Sequence, residues 1–174
     1  MTTQQGSLEL LQDPVAQRLL ASSVPARLAY TWHDGTPRIV PIGFHWNGTE
    51  IVLGTFPDAP KMKALRDGAH VAVSIDTDTM PYKVLQVRGT VRTDVVEGIA
   101  PEYEQMTLKT LGEDAGRSWL ATMGHLCPRM ARIFITPTWV AVLDFESRFP
   151  SALERAMATG SRSSSVEGPT TSSR

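Results

Sequence analysis

Seven short stretches of alternating or β-branched residues restrict the possible folds of this chain more than any other feature. Asn47-Gly48 is the strongest hairpin signal, because both residues tolerate the positive φ angles of a tight two-residue turn. Short antiparallel strands at this spacing predict a mainly β fold with some α-helix, a barrel or a sandwich of about six to seven strands. The predicted strands are residues 26–32, 38–46, 50–56, 70–76 and 83–96, followed by two final strands that begin at 131 and 138.

Helical signals lie outside most of this strand series. Asp13-Pro14 is a good helix start, and Gly112 separates two longer helical stretches that form an insertion before the last strands. The predicted helices are residues 14–22, 60–67, 101–111 and 113–126, with a last helical turn at 150–157. We expect one domain of residues 13–157, preceded by a loose N-terminus at 1–12 and followed by a disordered Ser/Gly/Thr-rich tail at 158–174.

Composition excludes several classes of function. The 17 basic and 18 acidic residues give a net charge of -1, which argues against a nucleic-acid partner, and the apolar runs are too short to span a membrane. Cys127 is the single cysteine, so an internal disulfide and a cysteine-based zinc site are excluded. The four histidines show no metal-ligand spacing, and we expect no metal. With no signal-peptide pattern at the N-terminus, we expect a cytoplasmic protein.

Two residues interrupt the strand pattern and therefore carry structural information. Pro41 lies inside the second predicted strand, which requires an edge position, a bulge or an N–H position that faces no neighbour. Gly89 lies inside the fifth, where it indicates a bulge or a close approach of another backbone segment.

Lys61 and Lys63 follow Pro60 at the start of the predicted short helix. Helix starts carry partial positive charge, which disfavours cations there. Either the two lysines lie on a solvated face, or an anion such as phosphate binds between them and the free N–H groups of the helix. The residues alone leave both interpretations open. Arg38 lies in an apolar strand and also has two interpretations: its side chain faces solvent, or its charge contacts a ligand.

The order and spacing of the motifs resemble those of the pyridoxamine 5'-phosphate oxidase-like split β-barrel superfamily, which includes flavin- and deazaflavin-dependent oxidoreductases. The similar segments are "RIVPIGF", the Asn-Gly hairpin, "LGT", "PKMKALRDGAHVAVSID" and "VRGTV", and the similarity extends over about residues 14–145. The resemblance implies a homodimer of split barrels with two cofactor sites at the subunit interface. It also implies FMN or F420 as the cofactor, with the ring along the second strand.

The resemblance assigns eight cofactor-binding residues by position. Its contacts along the second strand fall on Arg38, Val40, Pro41 and Ile42, and its phosphate contacts fall on Gly54, Thr55 and Lys61, with Lys63 as an auxiliary charge.

Departures from the oxidases narrow the expected function. Gly43 stands where they carry a substrate-binding lysine, Pro60 where they carry an arginine, and Val84 where they carry a flavin-contacting glutamine. We therefore do not expect pyridoxamine phosphate oxidation. The resemblance implies hydride transfer between FMN or F420 and a small organic substrate, with no dedicated catalytic acid-base pair. The alternative is a non-enzymatic module that binds a flavin, a deazaflavin or haem.

Overall fold

The computed structural model describes residues 4–163 as one seven-stranded antiparallel sheet with four α-helices. The strands are β1 (Ala26–Thr31), β2 (Pro37–Ile42), β3 (His45–Trp46), β4 (Ile51–Thr55), β5 (His70–Asp76), β6 (Lys83–Glu97) and β7 (Arg129–Asp144). The helices are α1 (Pro14–Ala21), α2 (Pro101–Leu111), α3 (Glu113–Leu126) and α4 (Ser151–Ser163). The predicted fold class, mainly β with a helical insertion before the last part of the sheet, is confirmed.

The strand order explains how the sheet closes. Its order is β2-β1-β5-β6-β7-β4-β3, so the two edge strands are β2 and β3. Only Gly43 and Phe44 join these two edges in the chain, and the sheet must therefore curve round until its edges approach each other. Phe44 is 2% exposed and packs in the main hydrophobic core. The edges do not pair, and the barrel stays split beside β2.

The position of β2 also explains Pro41. It lies opposite Arg27 of β1, and no described strand pairs with the other side of β2. A proline is tolerated on such an edge because its missing N–H disrupts no central ladder. The predicted strand 38–46 was wrong in its continuity, because Gly43 and Phe44 separate β2 from β3.

The end of the sheet differs from the prediction at one point. The two predicted final strands form the single 16-residue strand β7, which runs through Pro137 without interruption. Its register against β6 shifts between Arg88, opposite Trp139, and Gly89, opposite Pro137, so that Thr138 is the extra residue of a bulge. A side chain at Gly89 would place Cβ 2.5 Å from the Thr136 carbonyl oxygen. The predicted bulge or close approach at Gly89 is confirmed.

The N-terminal segment is attached to the sheet from Gln5 onward. A 3₁₀ helix, Leu8–Gln12, buries Leu10 and Leu11 in the core. The Gln5 side-chain amide exchanges two hydrogen bonds with the backbone of Val142, at 2.7 and 2.9 Å. The predicted loose N-terminus at 1–12 is therefore wrong for residues 4–12, and residues 1–3 lie outside the described part.

The C-terminal part of the described chain is helical for longer than predicted. The predicted last turn at 150–157 is the 13-residue helix α4, which continues to Ser163. The predicted disordered tail at 158–174 therefore overlaps α4, and its remainder, residues 164–174, lies outside the described residues. No helix of the described part is long and apolar enough to cross a membrane.

Candidate functional site

A pocket of about 220 Å³ opens where the barrel is split beside β2. Six of the eight residues predicted from the sequence line it together: Val40, Pro41, Ile42, Gly54, Thr55 and Lys61. The remaining lining residues are Phe56, Tyr103, Met123 and Met130. The cofactor-binding role that the sequence resemblance assigns to the first six residues stays a prediction.

Two unpaired backbone edges border the pocket. Within residues 4–163, β2 pairs with β1 alone, so the edge that carries Val40 and Ile42 has no strand partner there on its other side. β4 pairs with β3 only through Ile51 and Val52, which leaves the same side of Gly54 and Thr55 without a strand partner. Free edges of this kind can donate and accept hydrogen bonds with a ligand.

Lys61 provides the charge of the pocket. It is half-buried, and it makes no ion pair or side-chain hydrogen bond with any described residue. Burial lowers the pKa of its ammonium group below the ordinary lysine value of 10.5, because desolvation penalises the charged form. A cation held in this position without a counter-charge is a suitable partner for an anionic ligand.

The segment that positions Lys61 is shorter than predicted. In place of a helix at 60–67, the structure has a four-residue 3₁₀ helix, Pro60–Lys63. Its first residue lacks an N–H, and the preceding Ala59 makes no side-chain cap. One 3₁₀ turn has almost no macrodipole, so the helix-start argument was wrong for this segment. Attraction for an anion comes from the Lys61 side chain instead.

Thr55 supplies a second polar side chain to the lining. The residue is 9% exposed, and its hydroxyl makes no hydrogen bond with a described residue. A hydroxyl can donate or accept, so it can bind a ligand oxygen beside Lys61.

Arg38 and Lys63 lie outside the pocket lining. Arg38 is directed to the β1–β2 turn, where its guanidinium lies 3.7 Å from Asp34 and 5.9 Å from the Trp32 ring centroid. Lys63 is exposed.

The helical insertion forms the second wall of the pocket, which the sequence analysis missed. Tyr103 of α2, Met123 of α3 and Met130 of β7 contribute an aromatic ring and two thioethers. These residues had no sequence signal that linked them to the site, because apolar residues on a helix are most often core residues. Their place in the pocket depends on how α2 and α3 dock on the barrel.

Two glycines fix that docking. A Cβ at Gly54 would lie 2.8 and 2.9 Å from Cδ2 and Cβ of Tyr103, and a Cβ at Gly43 would lie 2.6 Å from Sδ of Met106. Each glycine thus leaves room for one side chain of α2. Gly54, predicted as a phosphate contact, accommodates Tyr103 as well as lining the pocket.

A partly buried ion pair fastens the same helix to the sheet. Glu102 of α2 receives two hydrogen bonds from the guanidinium of Arg132 on β7, one of them at 3.0 Å, and Arg132 also bonds Asp94 at 3.2 Å. The Arg132 and Glu102 side chains are only 21% and 14% exposed. Bidentate geometry of this kind fixes position as well as charge.

Three of the lining residues, Lys61, Thr55 and Tyr103, carry a polar side-chain group that can donate a hydrogen bond. The ten lining residues include no carboxylate. Among the residues described, no cluster of three or more His, Cys, Asp or Glu side chains could hold a metal ion. An apolar slot with donors and one cation suits a ligand with a flat apolar part and an anionic group.

Solved structures with the same architecture were found for proteins of different described roles. Rv2991 of Mycobacterium tuberculosis, a conserved hypothetical protein, is 20% identical with a TM-score of 0.61, over 82% of this chain and 91% of its own. An F420 reductase is 22% identical with a TM-score of 0.53, over 72% and 94%. HutZ, a haem storage protein of Vibrio cholerae, is 16% identical with a TM-score of 0.55, over 75% and 93%.

Proteins described as pyridoxamine phosphate oxidase-like match as well. This chain has the split-barrel fold of the pyridoxamine 5'-phosphate oxidase-like superfamily. The resemblance found in the sequence is thereby confirmed at the level of the fold. No protein-family model and no curated protein matches the chain. Split barrels with this architecture include an F420 reductase and a haem storage protein, so the fold by itself does not select a ligand.

Proposed function

We propose that this protein binds the phosphate of FMN or F420 at Lys61 and transfers hydride between the bound cofactor and a small organic molecule. The observation that carries the proposal is the half-buried ammonium group of Lys61, which has no partner among the described residues and belongs to the lining of an apolar pocket. An anionic ligand would offset the desolvation of that ammonium group. A flavin or deazaflavin has the matching chemistry, a flat ring joined to a phosphate.

The residues of the chain divide the work by position. Lys61 and Thr55 would bind the phosphate, and Val40, Pro41 and Ile42 would exclude water from the ring. The free edge of β2 offers backbone groups to the polar atoms of the ring. The cofactor, when bound, supplies the hydride chemistry. The protein's contribution is binding, orientation and a dry environment.

The size of the pocket supports a site shared between two chains. Ligand pockets usually enclose about 300–1,000 Å³, and this pocket, at about 220 Å³ within one chain, lies below that range. A homodimer, as the sequence resemblance implies, would supply the missing wall. We therefore propose a dimer, with the cofactor at the interface.

The outer face of the sheet is the proposed dimer surface. A row of cross-strand neighbours runs over five strands: Ile39, Ala29, Ala72, Arg88 and Trp139. Ile39, at one end of the row, is 66% exposed. The two alanines give the middle of the row a flat surface, and at the other end the Arg88 guanidinium lies 4.2 Å from the Trp139 ring centroid. A projecting apolar side chain beside a flat small-residue floor suits a two-fold contact, in which each copy presents both parts.

Light scattering on Ile39→Asp tests this surface. We expect a dimer for the unmodified protein and a monomer for the variant, because a desolvated carboxylate would lie in the contact. Met80→Asp is the matched control, since Met80 is 65% exposed in a loop away from the row. A monomeric unmodified protein would contradict the two-chain site.

Separate titrations with FMN and with F420 test the proposed function. We expect the fluorescence of one of them to change on binding, with an affinity that falls when inorganic phosphate competes for Lys61. If neither cofactor binds, the proposed function is wrong. If one cofactor binds, its reduced form is mixed with quinones, nitroaromatics or tetrapyrroles in turn. Oxidation of the bound cofactor by one of these acceptors would establish that the protein is an enzyme and would identify the class of its acceptor.

A binding module without turnover is the second candidate. Lys61 and Tyr103 are the titratable side chains of the lining, and no carboxylate joins them there as an acid-base pair. Tight binding of a flavin, F420 or haem with no turnover of any acceptor would favour the module. In either role, we infer a reducing, cytoplasmic environment, which the free and fully buried thiol of Cys127 supports.

A further inference from the structure

An exposed tryptophan is bonded to the tyrosine of the pocket. The Trp119 side chain is on α3 and 45% exposed, and its Nε1–H donates a hydrogen bond of 2.9 Å to the Tyr103 hydroxyl oxygen. Exposure of so much indole surface costs hydrophobic free energy, so this position is not explained by burial. The hydrogen bond to Tyr103 is the side-chain interaction that the structure shows for Trp119.

Tyr103 itself is held at several points. Its ring packs against Gly54, whose missing Cβ leaves the space for it. The preceding residue, Glu102, is fastened to Arg132 on the sheet. Trp119 then fixes the far end of the side chain. The phenol is consequently a rigid part of the pocket wall.

The hydrogen-bond directions leave one group of Tyr103 unused. An indole N–H can only donate, so the tyrosine oxygen must act as the acceptor in this bond. The hydroxyl hydrogen of Tyr103 therefore remains available, and no described residue accepts it. Acceptance of one hydrogen bond also polarises a hydroxyl and strengthens its own donation.

We propose that Tyr103 is a ligand-binding residue, which donates its hydroxyl hydrogen to an oxygen atom of the molecule in the pocket. Trp119 is its positioning residue, because it occupies the tyrosine oxygen and leaves the hydrogen free. Together with Lys61 and Thr55, Tyr103 makes a three-donor site for an oxygen-rich ligand. This inference rests on the proposed function in one respect, that the ligand is FMN or F420.

Tyr103→Phe tests the donor, because it removes the hydroxyl and keeps the ring that packs on Gly54. We expect whichever of FMN or F420 the unmodified protein binds to bind about five- to thirty-fold more weakly, the usual effect of one lost hydrogen bond to a desolvated oxygen. Tyr82→Phe is the matched control: Tyr82 is 40% exposed, packs on Phe145 and does not line the pocket. Its variant should bind normally.

Trp119→Phe tests the positioning role. The tyrosine hydroxyl remains in this variant but loses the partner that orients it, so we expect a smaller loss, about two- to five-fold. Trp32→Phe, at the β1–β2 turn, is the control for tryptophan removal. Thermal unfolding should be the same for all four variants, which separates ligand binding from a general effect on packing.

The outcomes distinguish this inference from the proposed function. Unchanged binding of FMN or F420 by Tyr103→Phe would overturn the inference and leave the proposed function intact. A weaker affinity accompanied by an equal loss of thermal stability would also overturn it, since Tyr103 would then act through packing. If the unmodified protein binds neither FMN nor F420, both the inference and the proposed function fail.

Discussion

The two walls of the pocket are built by different means. The barrel wall comes from residues 40–61, which are close in sequence, and it presents unpaired strand edges, a hydroxyl and an ammonium group. The helical wall comes from α2, α3 and the start of β7, and it presents one phenol and two thioethers, held in place by glycine contacts and a partly buried ion pair. The barrel wall therefore carries the charge of the pocket, while the helical wall adds shape and, in the proposed role of Tyr103, one hydrogen-bond donor.

Replacement of Lys61 by methionine should have the largest effect on binding. The variant keeps an apolar stem of similar length and loses the charge, so FMN or F420 should bind about 10- to 100-fold more weakly. Riboflavin, which has the ring without the phosphate, should bind as it does to the unmodified protein. Equal losses for FMN and riboflavin would show that Lys61 does not bind phosphate.

The same variant should be more stable without ligand. Lys61 carries a half-buried charge with no described partner, and its removal should raise the free energy of unfolding by no more than about 0.5 kcal/mol, because solvent still screens the ammonium group. Lys63→Met is the matched control, since Lys63 is exposed and outside the pocket lining. Its affinity and its denaturation midpoint should both stay unchanged.

Gly54→Ala tests the docking of the helical wall. The new methyl group would meet Tyr103 at 2.8 Å and Met130 at 3.1 Å, so α2 must shift, at a cost of about 1–3 kcal/mol. Chemical denaturation measures this cost.

Gly124→Ala is the control for Gly54→Ala, because Gly124 lies in α3 with no neighbour within 4 Å of the added carbon. This variant should gain about 0.5–1 kcal/mol from helix propensity. If both alanine variants behave alike, Gly54 does not act as a contact surface for Tyr103.

The effect of pH on the affinity for FMN or F420 should be smaller than the effects of these substitutions, and it should develop gradually. Burial lowers the pKa of Lys61 in the ligand-free protein, and a bound anion favours the charged form and raises it again. Affinity is therefore complete below the lowered pKa and falls as the pH rises through it, at a pH below 10.5. Riboflavin should show no such loss, and an FMN affinity independent of pH up to 10.5 would contradict the assignment.

Local chemistry was predictable where the relevant residues are close in the sequence. Pro41 required a strand edge and Gly89 a close backbone approach, and both requirements are met in the fold. Six of the eight residues assigned from the motif order line one pocket, and their role in cofactor binding stays a prediction. Errors occurred where packing overrides a local signal. Pro137 did not end β7, because the bulge beside Gly89 accommodates it.

The sequence by itself determined the strand series, the paired helices of the insertion and the position of the lysine, because each depends on neighbouring residues and their backbone preferences. Only the tertiary structure decided that Lys61 is half-buried while Lys63 is exposed, since burial depends on what packs above a side chain. It also decided that Tyr103 completes the pocket. The Tyr103 side chain fills the space that Gly54 leaves by having no side chain. The two residues are far apart in the sequence, so no local sequence pattern indicates this contact.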